Sequence, residues 1–290
     1  MGNNKDLLKI LIVGHKESPI LRDRIYMPVQ AGREIANKKL PFPWVGDNTG
    51  ENISKKNRTY AELTAAYWAL KNLKNVENVG LCHYRRYFYP IRSDWKNRFF
   101  KIKKYLMHSL ANILPQKISK ECCYDPKEII SFSKLNEKKL KIKKNLLKLI
   151  KKYDLIIPKE IKMSKRTVLE QYNHYCISED EKVFREVIRK FYPSDYKYYC
   201  KVFNSKRMTI YNMLIARKKI YDEYFNWLFS ILFNAEKKIK VTRYKKSGNQ
   251  RVFAMMAERL FNVWVLKNQK KLKIKRIKVC FLDGLYNPIN

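Results

Sequence analysis

The sequence predicts an α/β domain with a mixed central sheet flanked by helices, and three observations carry that expectation. Apolar runs of strand length recur along the chain, at Leu7–Val13, Val79–Cys82, Tyr153–Lys159 and Tyr211–Ala216. Longer segments lie between them, and their apolar residues return at helical spacing. The first two runs end on imidazole and cationic side chains, as strands do where an open α/β sheet binds its ligand. With 290 residues, 46% hydrophobic content and only 8 Gly and 10 Pro, the chain can bury one large core, and we read residues 1–290 as a single domain.

Leu7–Val13 is the first, central strand, closed by Gly14-His15-Lys16. His15 and Lys16 then stand at a ligand-facing strand end, or else in a loop without a role. Residues 25–50 hold Pro28, Gly32, Pro41, Pro43, Gly46 and Gly50, which excludes a long helix. Phe42–Gly46 reads as a short strand running into the polar turn Asp47-Asn48-Thr49-Gly50. Asp47 there bonds either a ribose or base, or its own backbone in an Asx turn. From Asn57 to Asn75 the pattern is helical, with Leu63, Ala66, Tyr67 and Leu70 on one stripe and Asn57 or Thr59 as cap. Glu62 lies near the positive end of that helix, where an anion is stabilised; a capping role alone would also place it there.

Val79–Cys82 runs directly into His83-Tyr84-Arg85-Arg86-Tyr87-Phe88. Two adjacent guanidinium groups at a strand end match a diphosphate as permanently charged, bidentate forks; the alternative is a strand end with solvated arginines. Residues 1–90 thus read as a nucleotide-binding half.

Composition changes abruptly over 95–152, a basic helical insertion. Trp95–Lys120 carries seven Lys or Arg and no acid among aromatic residues, and Lys134–Lys152 carries nine lysines and one acid. In the second stretch Leu135, Ile142, Leu146, Leu149, Ile150 and Tyr153 share one helical side, which either packs on a core or lies in a lipid interface. Residues 153–290 read as the second half and tail: a strand over Tyr153–Lys159, helices over Asp180–Phe191, Ile220–Phe233 and Arg251–Leu266, a strand over Tyr211–Ala216, and a tail from Leu272 that ends the sheet or covers a face.

The net charge of +37, from 63 basic and 26 acidic residues, points to a polyanion. Residues 1–90 account for only +7 of it, so the electrostatic footprint belongs to the later two thirds. An anionic bilayer and a nucleic acid both answer that description. The near-balanced first third and the lack of any RRM, KH or helix-turn-helix signature weigh against a nucleic-acid-binding protein. Six cysteines, including adjacent Cys122-Cys123, show no zinc spacing and read as reduced thiols. The start, Met1–Asp6, lacks a signal-peptide core and no run reaches the length of a membrane span. The expectation is a cytoplasmic protein, peripheral on the inner face of the cytoplasmic membrane.

No Gly-rich phosphate loop, G-x-S-x-G, H-E-x-x-H or strand-end Asp-x-Asp is present. An enzyme acting on a nucleotide sugar often holds its diphosphate through a divalent cation bound by such an acidic pair. Here His83, Arg85 and Arg86 stand in its place, so no metal or other cofactor is expected, with a divalent cation left open.

Asp47-Asn48-Thr49-Gly50-Glu51-Asn52-Ile53, Asn57, Tyr60-x-Glu62-Leu63-Thr64, Tyr67-Trp68 and Gly80-Leu81-x-His83-Tyr84-Arg85-Arg86-Tyr87-Phe88 together resemble the bacterial capsular and exopolysaccharide glycosyltransferases catalogued as domain of unknown function 4422. Tyr211-Asn212-Met213 and Arg251-x-Phe253-x-x-x-x-Glu258-Arg259-Leu260 extend the resemblance to roughly residues 8–266. It implies a GT-A-like fold and transfer of a sugar from a nucleoside diphosphate donor, a UDP-sugar first among them and galactofuranose among the sugars, to a glycan or lipid-linked acceptor. It also implies roles. His15, Lys16, Asp47, Asn48, Asn57, Tyr60 and Glu62 fall on the donor side, with Arg85 and Arg86 on the diphosphate. Tyr172, His174, Asn212 and Arg251 fall on the acceptor side. Glu258 is the first candidate for the base that deprotonates the acceptor in an inverting transfer, and His83 the second.

Overall fold

The computed structural model describes residues 5–91, 128–163, 165–244 and 250–283, so the Trp95–Lys120 stretch and Cys122-Cys123 lie outside the described residues. β1 (Lys9–Gly14), β2 (Tyr26–Gln30) and β3 (Val45–Gly46) are followed by a short helix α1 (Asn57–Tyr60), by α2 (Leu63–Asn72), and by β4 (Asn78–His83) and β5 (Arg86–Phe88). Next come β6 (Glu128–Ile130), α3 (Phe132–Glu137), α4 (Lys139–Lys152), β7 (Leu155–Pro158) and β8 (Ile161–Lys162). Three helices follow, α5 (Val168–Tyr175), α6 (Ser178–Phe191) and α7 (Tyr196–Phe203). The chain continues with β9 (Arg207–Met208), β10 (Leu214–Arg217), α8 (Lys218–Glu236), α9 (Val252–Asn268), β11 (Ile274–Ile277) and β12 (Val279–Leu282).

The main sheet runs β11-β7-β10-β4-β1-β2-β3, with β5, β12 and β6 extending it beside β4. β1 is parallel to β2 and β4, while β10 is antiparallel to β4 and β7, so the sheet is mixed as expected. The tail joins it as β11 and β12 instead of covering a face. β2 was not anticipated, because Pro28 speaks against a central strand. β3 reaches only Val29 and Gln30, so at Pro28 the strand is an edge on that side and lacks no ladder partner there.

Alternation along β1 divides the core. Leu11 and Val13 face one apolar layer with α2, α8 and α9; Ile10 and Ile12 face the other with α4. The stripe Leu135, Ile142, Leu146 and Ile150 is buried in that second layer, each side chain contributing about 1.5–3 kcal/mol, while Lys141, Lys144, Lys148, Lys151 and Lys152 are exposed. The stripe is therefore core and the lysines are the solvent face. Among the described residues no helix is long and apolar enough to cross a membrane.

Candidate functional site

Parallel pairing brings the ends of β1 and β4 side by side, with Val13 opposite His83. His15-Lys16 and Tyr84-Arg85 leave the sheet together. The Tyr84 amide donates to Val13 O at 2.9 Å, which ties this residue to the end of β1, and its ring is buried. His15 stands edge-on at 5.5 Å between centroids, and the cations of Lys16 and Arg85 lie 6.0 and 5.6 Å from the ring centre. Gly14 is required here: a Cβ would sit 2.6 Å from Trp44 Cη2, so the loop before β3 closes down on the strand end only over a glycine.

β10 is antiparallel, and the residues preceding it therefore arrive at the carboxyl end of β4. Tyr211 and Asn212 form a turn there with φ of 86° and 49°. Four side chains attach to it. His83 Nε2 donates to Tyr211 O at 2.6 Å, and the Tyr211 amide donates to Glu258 Oε1 at 2.8 Å. Asn212 Nδ2 donates to Glu62 Oε1 at 2.8 Å and to Ala254 O at 3.0 Å. The Arg86 guanidinium lies over the Tyr211 ring at 4.6 Å and the Phe281 ring at 5.3 Å.

Glu258 projects from α9, and its Oε2 meets Arg259 Nη1 at 3.3 Å. Arg259 is 2% exposed; its Nη1 donates to Met255 O at 2.6 Å and its Nη2 donates to Gln171 Oε1. That anchor fixes one oxygen of Glu258 from behind. Glu62 comes from the start of α2, where Ala61 at φ 46° breaks the expected Asn57–Asn75 helix in two.

The charges tune one another. Burial pushes the Glu258 carboxyl above its usual range, Arg259 opposes, and the neighbouring Glu62 adds to the rise. Burial also works upward on Glu62, but His83, the Asn212 hydrogen bond and Arg251 outweigh it and hold the carboxyl low. His83 is pushed down to about 4, chiefly by burial, so it is neutral at physiological pH with its proton on Nε2. His15 is also lowered, by partial burial and then by Lys16, Arg85 and Arg251. The result is one cluster holding cations, a neutral imidazole, one ionised carboxylate and one carboxyl poised nearer neutrality.

Of the residues expected from sequence, His15, Lys16, Glu62, His83, Arg85, Arg86, Asn212, Arg251 and Glu258 thus gather around the ends of β1 and β4. Others stand elsewhere. Asp47 is fully buried and accepts from Gly32 N at 2.8 Å, Arg33 N at 3.1 Å and Ser54 Oγ at 2.5 Å, so its carboxylate ties loops together. Asn48 donates to Glu34 at 3.1 Å on the surface. Asn57 donates to Ala61 O at 2.8 Å and so supports the backbone that presents Glu62. Tyr60 is a core residue stacked on Phe253 at 4.6 Å, and Tyr172 is fully buried beneath Arg259. His174 is exposed and stands edge-on to Tyr175.

Tyr84, Tyr211 and Arg259 also belong to this cluster, and sequence reading singled out none of them as a site residue. The signal for the second was available in Tyr211-Asn212, since asparagine tolerates a left-handed backbone before a strand. Two cavities of about 400 and 260 Å³, lined by Tyr89, Leu149 and Lys275 and by Lys197, Tyr198 and Lys267 among others, share no residue with the cluster.

A family model described as a domain of unknown function (DUF4422) matches residues 9–269. The apo structure of the WbbM bifunctional glycosyltransferase is similar at 26% identity and a TM-score of 0.76, over 98% of this chain and 48% of that one. The present chain thus spans about half the length of that protein and has a glycosyltransferase-like structure. No curated protein matches it.

Proposed function

The chain belongs to the DUF4422 family, and from that premise we propose that it transfers a sugar from a nucleoside diphosphate donor, a UDP-sugar first among them, to a glycan or lipid-linked acceptor. Galactofuranose or another hexose is the group moved, in capsule, exopolysaccharide or lipopolysaccharide synthesis. One observation carries the reading: cations and a split carboxylate pair meet at the carboxyl ends of two parallel strands on a glycosyltransferase-like fold.

Arg85 and Arg86 hold the diphosphate and stabilise the charge it gains on leaving. His15, Lys16 and Tyr84 border the same strand ends. Glu258 takes the proton of the acceptor hydroxyl, for which a raised carboxyl is better suited than His83 at about 4. Displacement from the face opposite the leaving diphosphate inverts the anomeric centre. The arginines supply the positive charge, and activity in the presence of EDTA is the corresponding expectation.

Thermal-shift and turnover assays against UDP-, GDP-, dTDP- and CDP-sugars test this. Selective stabilisation by one nucleotide class is expected, with Arg86→Ala reducing kcat/KM by roughly 100-fold. A chain that binds and turns over none of them contradicts the reading. The exposed lysines of α4 favour peripheral docking on the cytoplasmic side of an anionic membrane, each contributing about 1 kcal/mol near the surface. Flotation with anionic but not neutral vesicles is the expected result.

A further inference from the structure

Among the described residues three that are not glycine have a positive φ: Ala61 at 46°, Tyr211 at 86° and Asn212 at 49°. All three surround one carboxylate. Ala61 immediately precedes Glu62, and Asn212, next to Tyr211 in the chain, donates to Glu62 Oε1 at 2.8 Å. Such backbones persist only where their surroundings over-determine them, as Asn57 does at Ala61 O and Asn212 at Ala254 O. An independent sign comes from the other end of the same amide. Asn212 is 5% exposed, and its Oδ1 is buried without a hydrogen-bond partner. A buried acceptor left unmade is costly, and an O–H donor brought by a ligand offsets that cost. Arg86 Nε, buried and unpartnered in the same cluster, calls for an acceptor.

A capping carboxylate needs none of this. Resting on the glycosyltransferase reading, we propose that Glu62 is a catalytic carboxylate that faces the reacting sugar and stabilises the positive charge developing at its anomeric carbon, with Asn212 as the positioning residue. In the step, the bond from the anomeric carbon to the diphosphate oxygen breaks and its electron pair leaves with the diphosphate. The acceptor oxygen forms the new bond, and its proton passes to Glu258. Glu62 exchanges no proton in this step, in keeping with a carboxyl held low while that of Glu258 is raised.

The test is Glu62→Gln in the full chain, assayed with whichever nucleotide sugar the wild type turns over. A loss in kcat of ~100-fold or more is expected, while affinity for the bare nucleoside diphosphate stays within about threefold and the melting temperature is kept. Asn212→Ala is expected to lower kcat by roughly tenfold, again without weakening nucleotide binding, a split that a merely structural lesion does not produce. If Glu62→Gln does not fold, Glu62→Asp carries the same expectation, since it keeps the charge but withdraws it by one methylene. Full kcat in the Glu62 variants, or equal losses in kcat and nucleotide affinity, overturns this assignment and leaves the transferase reading intact. A wild-type chain inert toward every donor overturns the transferase reading, and this role with it.

Discussion

Two sets of carboxylates in this molecule, one buried and one half-buried, have opposite surroundings. In the helical layer, Asp180 accepts from Arg243 and Tyr244, Glu181 from Arg185 and Tyr199, and Asp195 from Trp227 at 3.0 Å and Lys267 at 2.7 Å. Each is a charge satisfied by a cation and a ring donor, on ordinary helical backbone. At the strand ends, Glu62 lies close enough to raise Glu258, both are held by a turn of positive φ, and buried polar atoms without a partner lie in the same cluster. Burial of a carboxylate therefore says little about function by itself; incomplete satisfaction on strained backbone is the sign that separates the second set from the first.

The sharpest way to break this comparison is to neutralise one member of each set. Glu258→Gln keeps an acceptor for the Tyr211 amide and removes the base, so kcat is expected to fall by roughly 10²–10⁴-fold. Stability should hold or rise, because a carboxyl whose pKa is raised on folding is a cost to the native state above its unfolded pKa. Steady-state kinetics and urea melts on one preparation read both effects; lost stability with full activity would place Glu258 in the structural set.

Asp195→Ala is expected to do the converse. It strips the Trp227 indole N–H and the Lys267 ammonium of their acceptor and costs roughly 2–3 kcal/mol. The folded fraction should keep wild-type kcat, and a specific loss of turnover would make this carboxylate functional as well.

A finer effect is in pH. His83 falls from 6.5 to about 4 on folding, so between those values the unfolded chain binds more protons than the native one. Stability must then decline as pH falls through that window, by on the order of 3 kcal/mol over its full width. His83→Asn retains an N–H for Tyr211 O and should flatten the decline; an unchanged slope in urea unfolding from pH 7 to 4 would exclude His83 as its source.

Much of the site was legible in the sequence because its parts are local. The run from Val79 to Phe88 spells a strand and its charged end, and the family match over 9–269 covers nearly the reach of the resemblance read from motifs over 8–266. Short elements with conflicting signals were harder. β2 hid behind Pro28, and α5 passed unassigned although Thr167 and Glu170 form a capping box at its start. The break at Ala61 left no mark, since alanine favours the helix that tertiary contacts interrupt there.

The sequence by itself determined the fold class, the strand that runs into His83-Tyr84-Arg85-Arg86, and the imidazole, guanidinium and carboxyl groups from which the candidate site is made. Periodicity and side-chain chemistry are carried by neighbouring residues, so one dimension suffices for them. Tertiary structure alone decided which carboxylates share one turn, for Glu62 and Glu258 lie 196 positions apart and both bond to Tyr211-Asn212, which belongs to neither. It also decided that Asp47, Tyr60 and Tyr172 are buried in loops and core. A pKa depends on burial and on charges a few ångströms away, and both are set only when the antiparallel β10 and the helix α9 close on the end of β4.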